Sequence, residues 1–354
     1  MIFSFDETLT RIAPLLPPAL VHESAFSSVK RLGEVLPKAM SCACFEARLG
    51  DDPQVDFIAC WMAKDKDQHA LSRCRSPRER PPAGLGGPDW DRVFRFCEDW
   101  ADPASILHSQ VPFIWLEFDI KAPPPAVPSP FLIFCVQPRF MDGPLAPVAP
   151  SVKTSPATTD RYRRLLRRGL SPLLDQPLSS DVEENLVRCD ALLPESGHTL
   201  HVAPHNTRGR SSFRIVIAVS RDELPDYLRR IGWPGSMEQL SELLPAMFGT
   251  SSDLNVDLDV GSEVLPTIGL HSYYPTNDVR CQALLDQLVA RGSCTPEKRD
   301  AALGWPGKSE MTLSGHKWPT TLYRTLEVKL VCRPKEPVVA KVYLIFEHRL
   351  ALFA

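Results

Sequence analysis

The chain has 354 residues, of which 44% are hydrophobic and 23% charged, so it can bury a large core and is not a disordered protein. Its formal net charge of -3 provides no overall positive field that would attract nucleic acid or an anionic membrane. The sequence has no run of about 18 apolar residues that would span a membrane, and its N-terminal stretch lacks the basic region of a signal peptide. We expect a cytoplasmic protein that works as a monomer, with no nucleic-acid or membrane partner.

Ten cysteines are scattered along the chain, and the closest two, Cys42 and Cys44, do not form a CxxC pair. Cys60, Cys135 and Cys332 lie inside apolar strand-like runs, where a free thiol behaves as a small hydrophobic side chain. This pattern predicts reduced, buried thiols, with a disulfide framework as the alternative.

Taken in chain order, the predicted elements are β-hairpins separated by helices. The run FEARLGDDPQVDFIACW, residues 45–61, has two alternating segments around a turn that contains Gly50 and Pro53, which is typical of a hairpin. The same pattern occurs in FIWLEFDIKAPPPAVPSPFLIFCVQ, TLHVAPHNTRGRSSFRIVIAVS, LNVDLDVGSEVLPTIGLHSYY and LEVKLVCRPKEPVVAKVYLIFEH. Helical periodicity occupies the segments between them, for example DWDRVFRFCEDWA and DRYRRLLRRGLSPLL. One helix, hairpin, helix unit thus repeats about five times, which predicts about ten strands.

Two further stretches bear on the organisation of the chain. The sequence GWPG occurs twice after a predicted helix, once around Trp233 and once around Trp305, which supports an internal repeat. Residues 138–160 are rich in proline, and we expect a linker or loop there that acts as a lid if it lies near the mouth of a barrel. The arginine-rich helix that follows is predicted to pack on the barrel through Leu165, Leu166 and Leu170, with a docking strip for an acidic peptide as the alternative.

About ten antiparallel strands cannot stay open without exposing their edges, so we predict an α+β fold in which residues 1–354 form one closed barrel with the helices outside. Alternation along each strand then places one face toward the helices and the other toward the lumen. The helix-facing set, which includes Leu116, Val202, Val256, Val328 and Val342, is apolar.

The opposite face of each strand is rich in ionisable groups. A lumen lined in this way is typical of a binding chamber, because buried charges are kept only when they are paired, solvated or used. The predicted lumen residues are Glu46, Arg48, Asp56, Cys60, Trp115, Glu117, Asp119, Ile133, Cys135, His201, His205, Arg214, Val216, Asp257, Asp259, Thr267, His271, Tyr273, Glu327, Lys329, Lys341, Tyr343, Ile345 and Glu347.

The last strand carries Lys341 and Tyr343 two positions apart on the lumen side. A Lys-x-Tyr strand at the end of five helix and hairpin repeats resembles the ABBA-type prenyltransferase barrel, a superfamily that includes aromatic prenyltransferases and cyanobactin-type peptide prenyltransferases. The resemblance covers nearly the whole chain and implies a barrel of about ten strands. It also implies transfer of an isoprenyl group from an allylic diphosphate to an aromatic or peptide side chain in secondary metabolism.

The resemblance also implies roles for individual residues. Cations and phenols would hold the diphosphate, and the candidates are Arg48, Arg214, Tyr273, Lys329, Lys341 and Tyr343. Glu46 would act as the catalytic carboxylate at the acceptor's N–H or O–H. The residues expected to contact the substrates are Trp115, Phe131, His201 and His271. The simpler interpretation is that Lys341 and Tyr343 belong to an edge strand reaching for water, and that Glu46 and the arginines form structural ion pairs.

Two acidic pairs, Glu117 with Asp119 and Asp257 with Asp259, leave three interpretations open. The carboxylates would bind Mg²⁺ that bridges the diphosphate, or receive a cationic group of the acceptor, or mark a chamber that no longer binds diphosphate. A different alternative places a transition metal at His201, His205 and His271 beside Asp257 or Asp259. The remaining alternative is a non-catalytic barrel that binds a peptide or a cationic small molecule.

Overall fold

The computed structural model describes residues 5–36, 42–65, 67–73, 85–120, 128–137, 156–205, 211–247, 253–274, 278–313 and 318–350. The strands are β1 Cys42–Arg48, β2 Val55–Met62, β3 Phe113–Ile120, β4 Pro130–Cys135, β5 His198–Pro204, β6 Phe213–Ser220, β7 Asp253–Val260, β8 Val264–Tyr274, β9 Gly307–Met311, β10 Thr320–Cys332 and β11 Val339–Leu350. The helices are α1 Phe5–Ile12, α2 Glu23–Val35, α3 Asp67–Arg73, α4 Pro88–Ala101, α5 Ile106–Gln110, α6 Pro156–Leu170, α7 Ser180–Ala191, α8 Leu224–Ile231, α9 Met237–Leu243, α10 Val279–Ala290 and α11 Pro296–Leu303.

Ten of these strands form the closed antiparallel barrel that the hairpin pattern predicts. Each strand from β1 to β7 pairs with the next, β8 pairs with β10, β10 pairs with β11, and β11 pairs with β1. Five consecutive hairpins therefore supply the whole wall, and the two ends of the sheet meet where Glu46 pairs with Tyr343 and Arg48 with Lys341. Closure leaves this ring of strands without an exposed edge.

The outer face of the barrel is apolar and is covered by helices. Phe57 on β2 packs against Phe5 of α1 with ring centroids 5.6 Å apart, and Phe45 on β1 packs against Phe57 at 5.2 Å. The predicted contact of α6 with the barrel is confirmed, because Leu165, Leu166 and Leu170 are buried in the same core. This continuous apolar layer between helices and strands stabilises the barrel wall. The inner face of the barrel is not part of it.

Two details of the fold differ from the sequence expectations or extend them. An eleventh strand, β9, pairs with the first half of β10 beside the barrel. Helix α6 begins at Pro156, so residues 156–160 are helical, and residues 138–155 of the expected linker lie outside the described residues. The nine described cysteines are all free thiols and all buried, as expected. Among the described residues, no helix has both the length and the apolar character needed to cross a membrane.

Candidate active site in the barrel lumen

One end of the lumen, near the hairpin turns, contains a cavity of about 230 Å³. Its walls come from the lumen face of most strands, and charged side chains dominate them. The lining residues are Glu46, Arg48, Gln54, Asp56, Glu117, Asp119, His205, Arg214, Asp257, Asp259, Thr267, Gly269, Lys329, Val331, Arg333 and Lys341.

Apolar side chains fill the lumen beneath this cavity. A first layer contains Cys44, Ile58, Tyr343 and Ile345, with Trp115 and Tyr273 packed against it. A second layer, nearer the opposite end, contains the buried residues Cys42, Cys60, Met62, Phe113, Cys135, Leu200 and Ala218. The lumen thus changes along its axis from an ionic chamber to a packed apolar floor.

On one side of the cavity, several cations share a single buried carboxylate, Glu46. The Arg48 guanidinium donates to Glu46 Oε1 at 2.7 Å, and the Lys341 ammonium donates to the same oxygen. Burial on its own would raise the pKa of Glu46, but Lys341, Lys329 and Arg48 outweigh it and hold that pKa well below its usual value. Two cations, Arg48 and Lys341, are therefore in direct contact with Glu46.

Tyr343 lies beside this group at the top of the apolar floor. Burial and the nearby carboxylates Glu46, Asp257 and Glu117 raise the pKa of its phenol well above the usual value, so the phenol remains protonated at neutral pH. The Lys329 ammonium donates to the phenol oxygen at 3.4 Å, and the His271 ring stacks on Tyr343 at 5.9 Å. The neutral phenol is hydrogen-bonded to the Glu46 carboxylate, so an incoming anion would compete with Glu46 for its proton.

On the β7 side, the two carboxylates are surrounded by cations. The Lys329 ammonium donates to Asp257 Oδ2, and His271 Nε2 lies 2.9 Å from Asp257 Oδ1. Arg214 donates to Asp259 at 3.1 Å and lies 3.6 Å from Asp257. Burial would raise the pKa of Asp257, but Lys329, His271 and Arg214 hold it well below its usual value. Both acids are therefore engaged in ion pairs.

Gly269 makes the contact between Lys329 and Asp257 possible. It lies on β8, between the strands that carry the two partners, and a Cβ there would come within 2.8 Å of Lys329 Cε and 3.1 Å of Asp257 Cβ. The missing side chain lets the lysine cross β8.

On the β3 side, three carboxylates come together: Asp56, Glu117 and Asp119, whose ligand oxygens lie within 4.8 Å of one another. Burial, and then the charge of Glu46, raise the pKa of Asp56 to about 7, although the Gln54 amide donates to it at 2.9 Å. The Arg48 guanidinium lies 3.5 Å from Asp56. Hard carboxylate oxygens at this spacing fit Mg²⁺, which takes a few protein carboxylates and completes its shell with water or phosphate.

The structure places every predicted site residue on the lumen side, while their chemical roles stay predictions. Those that line the cavity are Glu46, Arg48, Arg214, Lys329, Lys341, Glu117, Asp119, Asp257 and Asp259. Tyr343, Trp115 and Tyr273 belong to the first apolar layer. Phe131 meets His205 edge to face at 5.4 Å. His201 lies deeper, 5.5 Å from the ring of Phe113, where burial lowers its pKa to about 4.

Two residues were missed as site candidates. Asp56 was expected in the lumen but not in the metal site, although its register opposite Glu46 and Asp119 places three acids on adjacent strands. Glu327 was also only a lumen residue, yet it binds His271 Nδ1 while Asp257 binds Nε2. Pairing across neighbouring strands was the signal that could have identified both.

The histidine metal site is not formed in the part of the chain that the structure describes. There, Asp56, Glu117 and Asp119 are the only group of three or more acids, histidines or cysteines with ligand atoms close enough to share an ion. His271 is held by two carboxylates and His201 lies in the apolar part of the lumen.

The comparison with solved structures agrees with the barrel fold described above. No protein-family model matches the sequence, and neither does any curated protein. Among solved structures, prenyltransferase PriB in its complex with product diphosphate is 14% identical, with a TM-score of 0.52 over 96% of this chain and 94% of that one. Its ternary complex with L-tryptophan and dimethylallyl thiolodiphosphate is 13% identical, with a TM-score of 0.51 over the same shares.

A second neighbour gives the same result. The 5-dimethylallyltryptophan synthase from Streptomyces coelicolor is 11% identical, with a TM-score of 0.54 over 97% of this chain and 98% of that one. With its ten-stranded closed barrel and external helices, the chain therefore has the ABBA-type prenyltransferase-barrel fold.

Proposed function

We propose that this protein is a prenyltransferase that moves an isoprenyl group from an allylic diphosphate to an aromatic or peptide side chain. The observation that carries the proposal is the convergence of Arg48, Lys341 and Lys329 around one buried carboxylate, Glu46, with the phenol of Tyr343 beside them. A diphosphate entering the chamber would compete with Glu46 for Arg48 and Lys341, and with Asp257 for Lys329.

The same arrangement suits departure of the diphosphate. When the allylic C–O bond breaks, the electron pair leaves with the diphosphate, and fixed cations and a phenol stabilise the negative charge that develops on it. Burial in a closed lumen strengthens these interactions relative to water. PriB has been crystallised with product diphosphate and with dimethylallyl thiolodiphosphate, which supports a diphosphate site in this fold.

The acceptor would then attack the allylic carbon and lose a proton. Trp115 and Tyr273 lie in the layer just beneath the chamber, where aromatic faces stabilise an allylic cation. Glu46, charged and buried at the boundary of that layer, would accept a hydrogen bond from the acceptor's N–H or O–H and take the proton released as the new bond forms. PriB with L-tryptophan supports an aromatic acceptor.

The size of the chamber favours a short isoprenyl group. Its volume of about 230 Å³ falls below the range of roughly 300–1,000 Å³ that small-molecule sites usually have. The packed layer of Cys44, Ile58 and Ile345 lies directly beneath it, so a long apolar tail would require that layer to open. We therefore expect dimethylallyl diphosphate as the preferred donor.

The remaining features of the proposal concern the metal and the setting. Asp56, Glu117 and Asp119 would hold Mg²⁺, which would supply positive charge to the diphosphate. Buried free thiols are typical of a reducing compartment, which supports a cytoplasmic location. We propose that the protein works there as a monomer of one barrel domain in secondary metabolism.

Turnover with candidate donors tests the proposal. The protein is incubated with dimethylallyl, geranyl or farnesyl diphosphate together with L-tryptophan, L-tyrosine or peptides containing them, with and without Mg²⁺. We expect pyrophosphate release and a product whose mass increases by the isoprenyl group, most strongly with the dimethylallyl donor. Absence of thermal stabilisation and of pyrophosphate release with all three donors would contradict it.

A non-catalytic barrel that binds a cationic ligand is the second candidate, and the acidic group Asp56, Glu117 and Asp119 favours it. In that case an amine or a basic peptide, and none of the diphosphates, would raise the melting temperature. The same thermal assay therefore separates the two functions.

A further inference from the structure

Lys298, on helix α11 outside the barrel, binds the turn between β1 and β2. Its ammonium donates to the backbone carbonyls of Arg48 at 2.8 Å, Gly50 at 2.6 Å and Asp52 at 3.0 Å. An ammonium has three protons, so these three contacts use its full donor capacity on a single turn. The side chain therefore acts as a clamp across three alternate residues of the turn.

A neighbouring backbone contact strengthens the attachment. The N–H of Thr295, the residue that caps α11, donates to the carbonyl of Leu49 at 2.9 Å. Burial lowers the pKa of Lys298, consistent with an ammonium partly withdrawn from water. Four carbonyls of the turn thus accept hydrogen bonds from Lys298 or Thr295, namely those of Arg48, Leu49, Gly50 and Asp52.

The turn carries a residue of the candidate site. Arg48 is the last residue of β1, and its guanidinium lies 2.7 Å from Glu46 and 3.5 Å from Asp56 inside the chamber. Asp52, at the turn itself, lies 3.9 Å from the same guanidinium and is more than half exposed. The guanidinium thus contacts two carboxylates inside the chamber and, at a longer distance, one carboxylate outside it, and the position of the turn sets how it is shared among them.

We infer that Lys298 is a positioning residue for diphosphate binding, which it supports by holding Arg48 toward the chamber. The inference rests on the proposed function. Without the ammonium, three carbonyls of the turn become free to face water, and the turn gains conformations in which Arg48 pairs with Asp52 outside the cavity.

Binding of dimethylallyl thiolodiphosphate tests the inference, with Lys298→Met as the variant and calorimetry as the measurement. Lys298→Met is expected to weaken binding about tenfold, the size of a lost hydrogen bond to a charged group. The same substitution made in an Arg48→Met background is expected to weaken binding no further, because its effect passes through Arg48. Lys298→Arg, which keeps several donors, is expected to retain most of the affinity.

Arg92→Met is the matched control, because it removes a surface cation that pairs with Asp175 at 2.5 Å, far from the lumen. A purely structural role predicts that Lys298→Met lowers the melting temperature but binds the analogue as tightly as Arg92→Met does, and this result would overturn the inference. An equal loss in the Arg48→Met background would also overturn it. If Lys298→Met does not fold, Lys298→Gln is measured in its place with the same expected outcomes.

Failure of the proposed function gives a different pattern. In that case the unsubstituted protein itself does not bind the analogue, and the role of Lys298 falls with it. If the unsubstituted protein binds the analogue and Lys298→Met binds it equally well, only the role assigned to Lys298 is wrong.

Discussion

The two acidic pairs of the lumen, Glu117 with Asp119 on β3 and Asp257 with Asp259 on β7, look alike in sequence but have different surroundings. Lys329, His271 and Arg214 surround the β7 pair. The β3 pair instead joins a third acid, Asp56, whose pKa rises to about 7. The same acid-x-acid spacing thus produces an ion-pair network on one side and an acid-rich group on the other.

The difference arises from the strands next to each pair. Asp56 on β2 pairs in register with Asp119 on β3, so the neighbouring strand adds another acid. On β7 the neighbours supply Arg214 from β6 and, across Gly269, Lys329 from β10. The function of a carboxylate in this barrel therefore depends on the adjacent strands, and four predictions use this comparison.

Lys329→Met should have the largest effect on stability, because it leaves the buried Asp257 with one cation fewer and makes the β7 side resemble the β3 side. We expect the free energy of unfolding to fall by about 3–5 kcal/mol, as for other buried pairs that lose one partner. Urea unfolding measures it. The double variant Lys329→Met with Asp257→Asn should recover part of the loss, and a single variant as stable as the original would contradict the network.

Asp56→Asn should change how stability depends on pH. The folded pKa of Asp56 is about 7, whereas an unfolded aspartate has a pKa of about 3.9, so the folded protein binds the extra proton between these values. The contribution of the Asp56 carboxyl to the free energy of unfolding is fully present below about pH 4 and is lost as the pH rises through about 7.

The variant lacks this loss, so at about pH 8 its free energy of unfolding should exceed that of the original by about 4 kcal/mol, with little difference near pH 4. Urea unfolding across pH in the presence of a chelator measures both proteins. Equal pH dependence of the two would contradict the acid-rich group.

Gly269→Ala should break the bridge between Lys329 and Asp257 without removing either charge. The new Cβ would displace the end of the lysine side chain, and we expect a loss of about 1–2 kcal/mol in unfolding free energy. Gly50→Ala is the matched control, since its Cβ would meet only the carbonyl oxygen of Ser293 at 3.8 Å. If both glycine variants lose the same stability, the bridge does not depend on Gly269.

Mg²⁺ should have the smallest effect. At millimolar concentration and about pH 8 it should stabilise the protein by about 1 kcal/mol through the β3 side, as expected for a weakly bound ion. The stabilisation should be absent in Asp56→Asn and retained in Lys329→Met. Equal stabilisation of the original and of Asp56→Asn would exclude the carboxylate site.

Sequence alternation was sufficient to predict which side chains enter the lumen, because period-two patterning and the apolar helix-facing set fix the face of each strand. It was not sufficient to predict their partners. The contact of Lys329 with Asp257 crosses β8 and requires the stagger of the barrel and the small size of Gly269, neither of which a single strand encodes.

The repeated GWPG stretch shows a second limit of structure prediction from the sequence. After Trp233 the chain begins helix α9, where the Ser236 side chain accepts the N–H of Gln239 as an N-cap. After Trp305 the corresponding position is Lys308, which cannot cap a helix in this way, and the chain forms β9. The same four residues are thus followed by a helix in one place and a strand in the other.

The most direct test of the account is the affinity of dimethylallyl thiolodiphosphate for the original protein, for Lys341→Ala and for Tyr343→Phe. If the cations around Glu46 hold the diphosphate, we expect at least about tenfold weaker binding for Lys341→Ala and a smaller loss for Tyr343→Phe, with both variants folded. Unchanged affinity in both folded variants would contradict the central claim that this face of the lumen is the diphosphate site.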